Sequence, residues 1–112
     1  MKYYHNLYMS ENLEAKRTDI ITNIMNNKWQ FDKYLIVLTE NEKNHLEFFD
    51  SVLLLQKVIS KDTLFVVGIA EGYQGALEMI QRIAEEVYEN THGLDIRSYL
   101  LAKEQEYEES NV

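Results

Sequence analysis

The chain contains no cysteine and no proline. The first absence excludes disulfides and thiolate chemistry and is compatible with the cytosol. The second leaves no proline-rich linker to divide the 112 residues, a length that fits one domain with a single core. Long apolar runs are missing too. The longest, Leu64–Ala70, falls far short of a membrane span. The opening MKYYHNLYMS has one lysine and no apolar stretch, so it does not read as a secretory signal. These absences lead to the expectation of a soluble, cytoplasmic protein without a membrane partner. No internal repeat is visible.

Basic residues are scarce where acidic ones are dense. The formal net charge is −8. Residues 1–70 hold eight Lys and Arg against nine Asp and Glu, whereas residues 71–112 hold three against ten. An acidic surface repels nucleic-acid phosphates and anionic headgroups, so no nucleic-acid partner is expected. Lys16, Arg17 and Lys28 are the only candidates for a local basic patch. The acidic half reads first as a solvated face.

The pattern that remains describes a small α+β domain. Ser10 is placed to cap a helix running from Glu11 to Asn27, with Leu13, Arg17, Ile20, Ile21, Ile24 and Met25 recurring at helical steps. Tyr34–Thr39 is apolar and β-branched and reads as a buried strand. Glu40–Asn44 is a polar hairpin loop, and Leu46 and Phe48 flank Glu47 as in a short second strand. Asp50 or Ser51 would cap a short helix reaching Ile59, with continued strand as the competing reading. Leu64–Ala70 is a third strand. Tyr73, Ala76, Leu77, Ile80, Ile83, Ala84, Val87, Tyr88 and Thr91 then form one face of a long helix, with Gly93 expected just past its end. Asp95 is an N-cap for a last helix to about Lys103, with Leu94 and Tyr99 placed for a hydrophobic staple. The acidic residues 104–112 are expected to fray.

The expected fold is therefore α+β. A mixed sheet of about three strands packs against two long helices, in the order α-β-β-α-β-α-α, with the first two strands antiparallel. Residues 1–9 form an extension of uncertain structure. Tyr4, Leu7 and Tyr8 sit at helical spacing there, and Tyr3, Tyr4 and Tyr8 are candidates for an interface. A sheet so narrow leaves edges that a second copy would cover, which makes a homodimer the natural expectation.

Only one place supports a ligand site on physical grounds. Ala70-Glu-Gly-Tyr-Gln-Gly75, preceded by Gly68, joins a strand to a helix as a degraded dinucleotide fingerprint would. Gly72, Tyr73, Gln74 and Gly75 are the ligand-binding candidates there, through backbone N–H groups at the helix start. Glu71 sets a negative charge beside such a site, and no second strand–helix unit follows. Glycines that permit a tight turn and close helix–sheet packing are the better reading.

The other constellations are weaker. Glu42…His45 and Glu89…His92 have a metal-ligand spacing but lie in a loop and at a helix end, away from any four-helix bundle that would use them, so no metal is expected. His45, Glu47 and Asp50 lack a nucleophile or an oxyanion hole nearby. No nucleophile elbow, phosphate-binding loop or His-Glu-x-x-His occurs. Trp29, Phe31 and Tyr34 are placed either to pack between a helix end and the sheet, the commoner use, or to anchor an interface.

The run VVGIAEGYQGALEMI followed by GLDIRSYLL resembles a group of short bacterial proteins with no assigned function. The likeness spans Leu35 to Leu101. It implies a compact intracellular α+β protein and carries over no catalytic residue. The functional expectation is a non-catalytic module without a cofactor, acting by association with itself or with a regulatory partner. The rival is a binder of a phosphate- or nucleotide-type ligand at residues 70–75. A third reading has the acidic half imitate nucleic acid toward a basic partner.

Overall fold

The computed structural model describes residues 1–39 and 46–111. The loop expected at 40–44 and the Glu42…His45 spacing lie outside them. A mixed sheet of four strands runs through the middle: β1 (Lys2–Met9), β2 (Lys33–Leu38), β3 (Leu46–Asp50) and β4 (Phe65–Glu71), in the spatial order β1-β4-β2-β3. β2 pairs antiparallel with β3 and with β4, and β1 lies parallel to β4. The fold class is the expected α+β. The strand absent from the sequence reading is β1, which the sheet takes in as a parallel edge.

Helices cover both faces. On one side lie α3 (Gly72–Thr91) and α4 (Ile96–Ser110). Ala76, Met79, Ile83 and Val87 of α3 and Leu100 of α4 meet Tyr4, Tyr8, Ile36, Leu38, Val67 and Ala70 of the sheet. On the other side lie a 3₁₀ segment, Glu11–Lys16, followed by α1 (Arg17–Met25) and the one-turn α2 (Val52–Leu55). Leu13, Ile20, Ile24 and Leu54 meet Leu7, Met9, Leu35, Val37, Val66 and Ile69 there. The central strands β4 and β2 are thus buried on both faces, which is why their sequences are nearly continuous apolar runs. Among the described residues no helix is long and apolar enough to cross a membrane.

Local chemistry explains most boundaries. Asp95 accepts hydrogen bonds from the Ser98 N–H at 3.1 Å and the Ser98 hydroxyl at 2.8 Å, capping α4 as expected. Asn27 ends the first helical stretch at φ 57°. Several details differ from the sequence reading, and the short helix expected to reach Ile59 ends at Leu55. The first helix begins as 3₁₀, and Ser10 makes no cap: its hydroxyl accepts from the Glu71 N–H at 3.1 Å and ties β1 to β4. The left-handed residue closing α3 is His92, at φ 58°, one position before Gly93. The buried stripe of α3 is narrower and includes Met79, while Tyr73, Leu77 and Tyr88 are exposed. The last helix extends past Lys103: α4 continues to Ser110, and Glu104 is only 6 % exposed.

Gly68 shows why the glycines matter to packing. A Cβ there would meet the Met79 Sδ at 2.6 Å and the Tyr8 Cβ at 3.4 Å. The position lies where β4 is irregular against β2, and a missing side chain lets α3 and β1 close over it.

Candidate functional site

The strand-to-helix turn is built around Gly72. Its φ of 76° is one that side chains disfavour, and its N–H donates to the Asp32 carbonyl at 2.8 Å. A Cβ would lie 3.1 Å from the Asp32 Oδ2. Gly72 therefore joins α3 to the start of β2, and its N–H is already used. Helix begins at once, so Tyr73, Gln74 and Gly75 lie in the first turn of α3. Tyr73 points away from the turn and forms an aromatic cluster with Tyr34 and Phe48, its ring 6.3 Å from the first and 5.4 Å from the second.

Gln74 and Gly75 do line a crevice, of about 480 Å³, together with Ser10, Glu11, Asn12, Glu71, Glu78, Met79 and Arg82. Its location has a topological cause. β1 and β4 are parallel neighbours, and the chain leaves β1 toward one face of the sheet and β4 toward the other. Crevices in open sheets form outside the carboxyl ends of strands at such a divergence. The field inside is acidic. Glu11, Glu71 and Glu78 stand against one cation, Arg82, whose guanidinium lies over the Tyr8 ring at 5.6 Å. Glu71 is further engaged by Asn12 Nδ2, and Lys33 Nζ approaches it at 3.8 Å.

The candidate interface tyrosines lie elsewhere. Tyr4 and Tyr8 are buried in the chain's own core, with rings stacked 6.1 Å apart. The Tyr8 hydroxyl donates to Glu86 Oε2 at 2.6 Å, and Tyr99 donates to the same oxygen at 3.1 Å. Burial, then the Glu86 hydrogen bond, pushes the Tyr8 phenol far above its ordinary value. Burial, then the Glu86 charge, pushes Tyr4 up to about 12. Tyr3 lies on the opposite face, half-buried, its hydroxyl without a hydrogen-bond partner among the described residues.

A second polar cluster had no local signal in the sequence. Glu104 of α4 accepts from the His5 backbone N–H at 2.9 Å, lies 2.7 Å from the His5 ring Nδ1 and is 3.5 Å from Lys2 Nζ. Burial raises the pKa of the Glu104 carboxyl. The His5 amide, the His5 ring and Lys2 more than offset this and hold it below the usual carboxylate value. Tyr107 stacks on His5 at 4.5 Å. Partners about a hundred residues apart leave no periodic trace.

The aromatics before β2 also depart from expectation. Trp29 and Phe31 are not packed under the sheet but stand 63 % and 71 % exposed, their rings 6.2 Å apart. Trp29 rims a groove of about 780 Å³ lined by Leu54, Leu55, Ile59, Lys57 and Lys61. Tyr34 is half-buried. Among the described residues no three acidic or histidine side chains form a group that could hold a metal ion. Comparison with known protein families, curated proteins and solved structures finds no match to this chain.

Proposed function

We propose that the protein is a non-catalytic module that acts by association with another protein, with a second copy of itself, or with both. One observation carries the reading: the chain's single tryptophan, with Phe31 against it, is held out at the rim of a groove lined by Leu54, Leu55 and Ile59 together with Lys57, Lys61 and Asp62. Aromatic anchors of this kind dominate interface energetics, and burying one side chain of this size is worth about 2–3 kcal/mol. A cysteine-free acidic chain is compatible with a cytoplasmic site of action. The test compares affinity capture by the wild-type protein with that by a Trp29→Ser/Phe31→Ser variant in extract of the source cells. Proteins recovered by the first and lost by the second are the expected result. Identical captures, with both proteins monomeric when pure, would remove the reading.

The crevice where β1 and β4 diverge supports a second reading, a small-ligand site that includes Gln74 and Gly75. Its carboxylates oppose a phosphate or nucleotide and favour a ligand bearing an amine. A thermal-shift comparison of inorganic phosphate, AMP and putrescine separates these. Stabilisation by putrescine, lost in Glu78→Gln, supports the amine site, and no shift with any of the three eliminates the second reading.

A further inference from the structure

The two edges of the sheet are treated differently. At β1 the edge is closed. The strand slips in register against β4 between Tyr3 and Tyr8, the His5 N–H is taken by the Glu104 carboxylate, and Lys2 is paired with Glu104 and Glu108. Bulges and charges of this kind protect edges from pairing. At β3 the protection is slighter among the described residues: the strand is short and carries the exposed Glu47, but no side chain of another element bonds its backbone. β3 pairs with β2 on one side only.

The orientation of its backbone follows from one hydrogen bond. The Ser51 N–H donates to the Lys33 carbonyl at 2.8 Å. The register continues Phe49 opposite Leu35 and Glu47 opposite Val37. Antiparallel ladders alternate, so Glu47 and Phe49 turn their amides and carbonyls toward β2. Those of Leu46, Phe48 and Asp50 turn outward. Aromatic side chains flank this edge on the face covered by α3. Phe48 packs with Tyr34 and Tyr73, and Tyr73 is 59 % exposed above it.

We infer that β3 is a self-association edge: two copies pair β3 to β3 in antiparallel fashion about a two-fold axis through Phe48 and form one continuous eight-stranded sheet. This rests on the association reading and names a second copy as one partner. The strand's own chemistry selects the occupant and the register. An axis normal to the sheet keeps each face continuous, so facing residues share a face and the centre falls on a residue. Centring on Glu47 sets Glu47 against its own copy, a like-charge pair directly opposed. Centring on Phe49 loses Leu46 from the ladder and sets Phe48 against Asp50. Centring on Phe48 pairs every outward-turned residue, Phe48 with Phe48 and Leu46 with Asp50, and no carboxylate faces a carboxylate. Both Phe48 rings then meet beneath the exposed Tyr73 side chains.

Amide hydrogen exchange resolved by NMR at low and high protein concentration tests this on the unaltered chain. The Glu47 and Phe49 amides are protected at both concentrations, being bonded to β2. The Phe48 amide is expected to exchange fast when dilute and at least tenfold more slowly when concentrated, alongside a light-scattering mass rising toward twice 13.3 kDa. Phe48→Lys is expected to stay monomeric, and Phe48→Leu to dimerise. If Phe48→Lys does not fold, the exchange experiment decides alone. A Phe48 amide that exchanges fast at every concentration, or a dimer in which only other amides gain protection, overturns the inference. Trp29-dependent capture would survive that outcome, so the two readings fail separately.

Discussion

Glu104 is a carboxylate withdrawn from water, and its neighbours decide its charge. A buried carboxylate is normally driven toward protonation, but here the His5 N–H, the His5 ring and Lys2 hold it ionised. Its folded pKa lies below the unfolded value. The stability it contributes is therefore present above the unfolded carboxylate range and lost as pH falls through the folded value. Glu104→Gln keeps the shape and removes the charge. Denaturant melts at neutral pH are expected to show a loss of about 2 kcal/mol, since the partners are left partly unsatisfied. The difference between the two proteins should shrink as pH falls below the ordinary carboxylate range and through the folded value, where the wild-type carboxyl also protonates. A constant difference across that range would mean that the charge is not what matters.

Elements were legible where one local pattern reports one environment. β2 and β4 announce themselves as apolar β-branched runs because helices bury both of their faces, and α3 shows a clear apolar stripe because one side meets the sheet. β1 was hidden by its own irregularity. The slip between Tyr3 and Tyr8 breaks the two-residue alternation and leaves Tyr4, Leu7 and Tyr8 at a spacing that imitates a helix. The end of α4 was hidden because its anchor, Glu104, looks like one more glutamate in an acidic tail until β1 comes alongside it. The crevice was half legible. Gln74 and Gly75 were found from the glycine pattern, whereas Ser10, Asn12 and Arg82 join them only once β1 enters the sheet. The exposure of Trp29 and Phe31 had no signal, since composition favours burying such rings. Removing residues 104–112 takes away the closure of the β1 edge along with the second half of α4. The truncated chain is expected to lose at least as much stability as Glu104→Gln and to aggregate on concentration, both measurable by melting and light scattering. Unchanged stability would show that the tail does not anchor β1.

Across the whole molecule, charge opposes self-association while the exposed aromatics favour it. Each copy carries a net −8, concentrated in residues 71–112, and bringing two copies together raises the repulsion. Raising ionic strength from about 20 mM to about 300 mM screens that term over distances beyond a few ångströms. Dimer formation is therefore expected to tighten several-fold with salt, read by light scattering across a dilution series. Weakening with salt would instead indicate that ion pairs between copies hold the dimer. Neither result tests capture of a heterologous partner through Trp29.

The proposed association is tested most directly by the native mass of the protein in extract of the cells it comes from. Elution well above the 13.3 kDa of a single chain, shifted toward the monomer by Trp29→Ser/Phe31→Ser or by Phe48→Lys, is the predicted result. Elution as a free monomer in extract, matched by a monomer mass for the pure protein at every concentration, would contradict it.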